Sequence, residues 1–385
     1  MPRALSIALF LLIAIGLIAS LHYWFWIRLV RDAGVPPPWR TVATACLWLL
    51  GASMPAAMVI GRLVGPRAAK ALAWPAYVWM GMMLLLMVTV GGAEILRLVA
   101  RIGAGERLAD PARRLFFQRV LGALAGAAAT GMGAFALRGA LRGPSLRELT
   151  IALPKLPETL MGMTIVQLTD LHVGPTLGRD FIDKVVAQVN ALAPDVVAIT
   201  GDLVDGSVEE LRETIAPIAS IKAKRGVYFV TGNHEYYAGA AEWTAHLGTL
   251  GVRVLRNERV ALADGLDLAG VDDWNARGLA PGHGADLQRA LDGRDPARAL
   301  VLLAHQPRAF VEAAAAGVGL QLSGHTHGGQ IWPWGIFVRL QQPYISGLYR
   351  AGAAQLYVSC GTGYWGPPMR LGAPSEITRV TLVPA

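Results

Sequence analysis

Residues 323–330 read SGHTHGGQ, two histidines one residue apart among glycines. Imidazoles so spaced either ligate metal ions or sit on an ordinary solvent-exposed loop, and the rest of the chain decides between the two. Other short apolar runs end in polar residues of the same kind. MTIVQL (163–168) is followed by TDLH, VVAIT (196–200) by GD and VYFVT (227–231) by GNHE. LVLLA (300–304) is followed by His305, and VGLQL (318–322) by SGHTH. Together these loops supply Asp170, His172, Asp202, Asn233, His234, His305, His325 and His327. Five of the eight histidines fall in this set, and only His22, His246 and His283 lie outside it. Solvated loop histidines have no reason to concentrate in this way.

Two carboxylates, an amide oxygen and several imidazoles form a mixed nitrogen–oxygen donor set, which suits Mn, Fe or Zn. The thiolates of a structural zinc site are missing from it. A carboxylate such as Asp202 can bridge two cations about 3.5–4 Å apart. Gly201, Gly232 and Gly324 flank the donors and let the backbone bend tightly there. Cys360, after LYVS, is a possible thiolate nucleophile, but its setting reads better as a small buried hydrophobe.

The donors need elements to position them. The apolar runs are rich in Val and Ile and read as buried strands. Between the first two, residues 179–192 put Phe181, Ile182, Val185, Val186 and Val189 on one helical face. Ser207 and Glu210 have capping-box spacing ahead of a second helix. Strand alternating with helix predicts an α/β domain with layered sheets, and ligands then gather outside the carboxyl ends of the strands.

The first part of the chain differs. Hydrophobic residues make up 54% of the whole and mean hydropathy is +0.42, which places part of the chain in lipid. Residues 1–160 hold 17 Lys/Arg against 6 Asp/Glu, whereas 161–385 hold 18 against 21. The basic excess therefore flanks apolar segments, and no basic stripe marks the soluble part, so no nucleic acid is expected as a partner. Four stretches reach the ~20 residues a membrane helix needs, at about 4–27, 41–60, 71–93 and 115–137. Arg113 and Arg114 before an aromatic pair and a mild apolar region read either as a twin-arginine export signal or as positive charge flanking a helix. Loops 28–40 and 94–114 carry eight Arg, against seven Lys/Arg on the opposite side, counted from Arg3, Arg62, Arg67, Lys70, Arg138, Arg142 and Arg147. With the twin arginine, this points to a multi-pass inner-membrane protein whose C-terminal domain lies outside the cytoplasm. The expected division is a four-helix transmembrane region over 1–140, a linker or first edge strand over 141–160, and a catalytic domain over 161–385. The two cysteines, Cys46 and Cys360, form no disulfide framework.

DLH, GDLVD, GNHE, a later histidine and GHTH, in that order, resemble the calcineurin-like metallophosphoesterases across about 163–380. GHTHGGQ and the closing CGTGYWGPPMRLGAPSEITRVTL look most like the membrane-associated, twin-arginine-exported phosphodiesterases of that family. They are also similar to pyrophosphatases that cleave UDP-2,3-diacylglucosamine in lipid A synthesis. The resemblance implies layered mixed sheets flanked by helices, an α/β/β/α sandwich, and two divalent metal ions. One ion would be held by Asp170, His172, Asp202 and His327, the other by Asp202, Asn233, His305 and His325. It further implies in-line attack on phosphorus by a hydroxide between the ions, with His234 at the leaving group as general acid or electrostatic partner. Glu235 departs from the Asp common in the family, at a position that is not usually a ligand.

Residues 331–349 are rich in aromatics, with Trp332, Trp334, Phe337, Tyr344 and Tyr349, and Tyr364 and Trp365 follow. They are either packed core or a surface resting at the bilayer interface. The second possibility favours an amphiphilic or lipid-linked phosphodiester as substrate and the lipid bilayer as partner. A UDP-2,3-diacylglucosamine-type pyrophosphatase with a cytoplasmic site is the alternative. A non-catalytic sensor of metal or phosphate is a third reading, weakened because every donor and His234 are present. Transport is disfavoured because the spans hold few ionisable residues.

Overall fold

The computed structural model describes residues 3–64, 66–104 and 110–385; the side chains of residues 3–4, 6–8, 10, 58–64, 66–70, 101 and 104 lie outside that description. The chain divides into two compact units: residues 1–137 with 366–368, and residues 138–365 with 369–385.

The first unit is helical: α1 (Arg3–Trp26, continued by a π-helical turn Ile27–Arg31), α2 (Trp39–Val64), α3 (Pro66–Ala104) and α4 (Pro111–Leu141, whose last turn belongs to the second unit). Among the described residues three stretches are long and apolar enough to cross a membrane: Leu11–Arg31, Ala71–Ala100 and Pro111–Leu141. Of the four spans expected, three are matched among the described residues. The remaining segment, 41–60, falls on α2, and the side chains of its residues 58–60 lie outside those described. The described part of α2 opens with Trp39 and Arg40 and carries Thr41, Thr44, Ser53 and Pro55, which dilute its apolar character. Of the charges counted for sidedness, Arg3, Arg62, Arg67, Lys70, Arg101 and Arg107 also lie outside the described side chains.

The second unit contains two six-stranded mixed sheets. The strands are β1 (Ser145–Leu153), β2 (Thr164–Leu168), β3 (Val196–Ile199), β4 (Val227–Phe229), β5 (Val252–Val254), β6 (Glu258–Ala263), β7 (Leu266–Gly270), β8 (Ala299–Leu303), β9 (Leu320–Ser323), β10 (Gly347–Ala351), β11 (Ala354–Val358) and β12 (Glu376–Pro384). One sheet has the order β1-β12-β2-β3-β4-β5 and the other β10-β11-β9-β8-β7-β6. In the first, β2 to β5 run parallel and β12 is antiparallel to β2. In the second, β7, β8, β9 and β11 run parallel between antiparallel edge strands. β1 falls within the 141–160 segment and pairs along its whole length with β12.

Both faces of β2, β3, β8 and β9 are buried, which is why they read as largely apolar runs. Ile165, Val196 and Ala198 of the first sheet share one core with Leu268, Val301, Leu303, Leu320 and Leu322 of the second. The alternate residues Val166, Leu168, Val197 and Ile199 face helices α5 (Arg179–Ala191), α6 (Val208–Ile215), α7 (Asn233–Ala238) and α8 (Ala240–Thr249), where Ile182, Val185, Val189, Ile215, Trp243 and Leu247 meet them. Phe181, expected on the same face of α5, packs partly buried against that cluster. On the far side of the second sheet, Ala269, Leu300 and Leu302 pack against Ala290 and Ala313. Each fully buried Val, Leu or Ile contributes about 1.5–3 kcal/mol of burial free energy. The Ser207–Glu210 capping box forms, with the Glu210 N–H donating to Ser207 Oγ and the Ser207 N–H to Glu210 Oε2. Layering and parallel pairing bring the carboxyl ends of β2, β3, β4, β8 and β9 to a common edge.

Candidate metal centre

Every candidate donor lies just past one of those strand ends: Asp170 and His172 after β2, Asp202 after β3, Asn233 after β4, His305 after β8, and His325 and His327 after β9. The backbone there is strained. Among the described residues nine non-glycine positions have φ in the left-handed region. Five are candidate donors: Asp170 (+52°), His172 (+48°), Asp202 (+52°), His325 (+73°) and His327 (+51°). Such conformations cost on the order of 1–3 kcal/mol each and persist where surrounding structure over-determines them, most often at functional sites. Here backbone hydrogen bonds to the donor carboxylates do so. The His325 N–H donates to both Asp170 oxygens at 3.0 Å, and the His234 N–H donates to Asp202 Oδ1 at 2.9 Å. Glycine is required alongside: a Cβ on Gly324 would overlap Asp170 Oδ2 and Thr169 Oγ1, and one on Gly232 would overlap Asp202.

The donors gather into two clusters. In one, Asp170, His172 and His327 converge. His172 Nε2 lies 3.0 Å from His327 Nε2, and His327 Nε2 lies 3.4 Å from Asp170 Oδ1. In the other, Asp202, His305 and His325 converge, with His305 Nε2 3.1 Å from Asp202 Oδ2 and 3.2 Å from His325 Nδ1. Asp202 Oδ2 is also 3.8 Å from His172 Nε2, so this carboxylate faces both clusters. The two imidazoles of HTH therefore serve different clusters across one turn.

The electrostatics favour cations. Burial, then the charge of His305, pushes His325 down to about 3. Burial, then His172 and Arg370, holds His327 well below its ordinary value. Both rings are neutral and offer lone pairs. Burial alone would depress His305, but Asp202 beside it raises it well above the usual imidazole range. The direction of that shift follows from the carboxylates of Asp202, Asp170 and Asp273 gathered at this edge. Asn233 Oδ1 is buried and accepts no hydrogen bond among the described residues. An acceptor left in that state costs about 1–3 kcal/mol, and a cation would satisfy it. Facing imidazole nitrogens, buried carboxylates and an orphaned amide oxygen fit a pair of divalent metal ions.

His234 belongs to neither cluster. Its Nδ1 is 2.6 Å from Asp205 Oδ1, which also lies 2.9 Å from His172 Nδ1. Burial opposes the His234 charge, but the Asp205 hydrogen bond and then Asp202 bring it up to about 9. It is a cation at neutral pH, flanked by the Tyr237 and Trp365 rings at 5.3 and 5.6 Å. Burial opposes the Asp205 carboxylate in turn, and His172 with His234 bring it down to about 2.

The tasks of three site residues escaped the sequence reading. Asp205 stands in GDLVD, yet only its two imidazole partners reveal its task. Glu235 accepts the backbone N–H groups of Asp202, Leu203 and Gly232 at 3.0, 2.8 and 2.7 Å, so both its carboxylate oxygens are engaged in fixing two donor loops. Arg370 is buried and donates to the carbonyls of His327, Cys360, Ala373 and Gly363, pinning the HTH turn. Burial pushes the Cys360 thiol up to about 11, which removes it as a thiolate nucleophile. His22, His246 and His283 lie on other elements, as their sequence positions implied.

Residues 163–329 match the model of the calcineurin-like phosphoesterase family. A zebrafish (Danio rerio) relative described as a transmembrane protein with metallophosphoesterase domain is 42% identical over 262 residues, 65% of this chain and 60% of that protein. The chain thus spans about three-fifths of that relative's length. A bovine (Bos taurus) protein of the same description is 40% identical over 316 residues, 78% of this chain and 70% of that one. An uncharacterized metallophosphoesterase of Bacillus subtilis is 30% identical over 289 residues, covering 70% of this chain and 97% of its own. On the strength of relatives matched over most of their length, the chain belongs to the calcineurin-like metallophosphoesterases.

Proposed function

We propose that this metallophosphoesterase is membrane-anchored and hydrolyses a phosphodiester of an amphiphilic or lipid-linked substrate, with its catalytic domain outside the cytoplasm. The observation that carries the reaction is the separation of His325 and His327 into two clusters on either side of Asp202, with His234 beside them. Three apolar helices support the anchor, as do the two vertebrate relatives described as transmembrane proteins.

Asp170, His172, Asp202 and His327 would hold one divalent cation, and Asp202, Asn233, His305 and His325 the other. Bound there, two such cations supply Lewis acidity to a phosphoryl oxygen and a nucleophile usable at neutral pH. The chain's own residues do the rest. Asp205 takes up Nδ1 of His234, which leaves Nε2 as the nitrogen able to give a proton to the departing oxygen. Glu235 and Arg370 hold the donor loops in register, so that donor geometry is set before substrate arrives. Tyr237 and Trp365, both exposed, present apolar faces beside His234 that suit an amphiphilic leaving group.

The test uses the full chain in lipid nanodiscs with a fluorescent phospholipid diester, a soluble chromogenic diester, a monoester and a UDP-linked lipid pyrophosphate. Turnover highest on the lipid diester supports the reading. Turnover highest on the pyrophosphate, with a reporter fused after Ala385 that reads cytoplasmic, would replace it by a UDP-2,3-diacylglucosamine-type pyrophosphatase.

A further inference from the structure

The aromatic run after the HTH turn divides by face. Tyr344 and Tyr349 pack inward with Phe310, Leu356 and Val358, and Tyr364 is buried. Trp332, Trp334 and Phe337 turn outward at 55%, 49% and 49% exposure, joined by Ile336 at 61% and Leu340 at 81%. Five large apolar side chains within nine residues form the kind of contiguous patch that marks an interaction surface. The segment is an ordered turn. The Trp332 N–H donates to Leu371 O at 2.9 Å, and Ile336, Phe337 and Leu340 donate to Pro333, Trp334 and Phe337 at 2.9, 2.9 and 3.1 Å.

Charge narrows the partner. From residue 313 to 375 the chain has no Asp or Glu, and its Lys/Arg residues there are Arg339, Arg350 and Arg370. Arg370 is buried; Arg339 and Arg350 are exposed. Trp side chains settle at headgroup level, aliphatic tips enter the acyl boundary and arginines meet anionic headgroups. A second copy of the chain docking face to face would bring two patches of the same positive charge together, with no acidic residue from 313 to 375 to offset them.

We propose that the turn 332–340 is a bilayer-contacting surface of the catalytic unit, inserting Trp332, Trp334, Ile336, Phe337 and Leu340 into an anionic lipid interface. This rests on the membrane-anchored reading above, because that anchor holds a bilayer within reach. The turn is fastened to the metal-site loop at both ends. Gly329 lies against Gly335 closely enough to exclude a Cβ, and Thr326 Oγ1 donates to Ile345 O at 2.5 Å. Lipid contact at the turn is therefore mechanically close to His325 and His327.

The experiment places a spin label at Ile336→Cys in the full chain, with Cys46 and Cys360 replaced by alanine, reconstituted in phosphatidylcholine–phosphatidylglycerol nanodiscs. Phe337→Cys serves if the first variant fails to fold, and Val311→Cys, on an exposed helical site, is the aqueous control. The label at 336 should be several-fold more accessible to oxygen, and several-fold less to a water-soluble nickel chelate, than the label at 311. Arg339→Gln should shift it back toward water by about fivefold, the change expected for removing one arginine from an anionic surface. Equal nickel access at 336 and 311 overturns the proposal. So does spin–spin broadening between copies, which would show a second chain on the patch. Extraction of the unlabelled chain from membranes by carbonate would instead refute the anchor, and that outcome is read separately.

Discussion

Asn233→Leu removes an orphaned acceptor with little change of shape, and the account predicts effects of opposite sign with and without metal. In the metal-stripped chain the Asn233 oxygen is buried and unpaired, which costs about 1–3 kcal/mol. Leucine removes that cost. For a domain of this size each kcal/mol moves the midpoint by about 2–4 °C, so the stripped variant should melt about 2–12 °C above the parent. In saturating metal the order should reverse. A cation at a hundred times its dissociation constant stabilises the parent by about 2.7 kcal/mol, and the variant lacks one of the donors that hold it. Thermal unfolding in chelator and in Mn²⁺, beside metal counts per chain, gives both halves. A variant that melts lower in both conditions, or binds two ions with parental affinity, would refute the reasoning.

Further outcomes follow from the same geometry. His234→Ala should keep both metals and lose about 10²–10⁴ in turnover, and parental turnover would exclude its acid role. Asp205→Asn should weaken metal binding about 10–100-fold through His172. At saturating metal it should also move the alkaline fall of activity to lower pH, because the Asp205 bond helps lift His234 to about 9; an unmoved limb would contradict this. Arg370→Met leaves carbonyls around the HTH turn without donors and should cost about 2–5 kcal/mol, read as a lowered melting point. Asp195 is held below its usual value: burial opposes its charge, but Lys224 and Thr164 outweigh that. Its contribution is therefore present above the unfolded pKa and lost as pH falls through the folded one. Asp195→Asn should lower neutral-pH stability by about 1 kcal/mol or less and flatten the acid dependence near pH 4, as checked by unfolding from pH 3 to 7.

The legible parts of the chain share a physical cause. Strands buried on both faces must be apolar throughout, so β2, β3, β4, β8 and β9 stood out, as did the polar residues at their ends. The amphipathic α5 and the cap of α6 were legible for the same local reasons. Pairing between distant segments was not, which is why the 141–160 segment read equally as linker or strand, although β1 runs the length of β12. Asp205, Glu235 and Arg370 each reach partners 29 or more residues away in sequence (His172 and His234, Asp202 and Leu203, and His327), and the local sequence does not mark those contacts. The aromatic run after the HTH turn could be read as core or surface because its residue types suit both, and the fold assigns some of its side chains to each. The left-handed backbone of five donors was equally hidden, since Asp and His adopt it more readily than most residues but still too seldom to mark particular positions.

The central claim is a pair of cations held by two clusters that share Asp202. It is tested most directly by counting bound metal on the detergent-purified chain and assaying a chromogenic phosphodiester with and without Mn²⁺, beside Asp202→Asn. Two ions per chain, with turnover that depends on metal and is lost in Asp202→Asn, is the predicted result. A chain that binds no metal, or an Asp202→Asn variant that keeps both ions and full turnover, would contradict it.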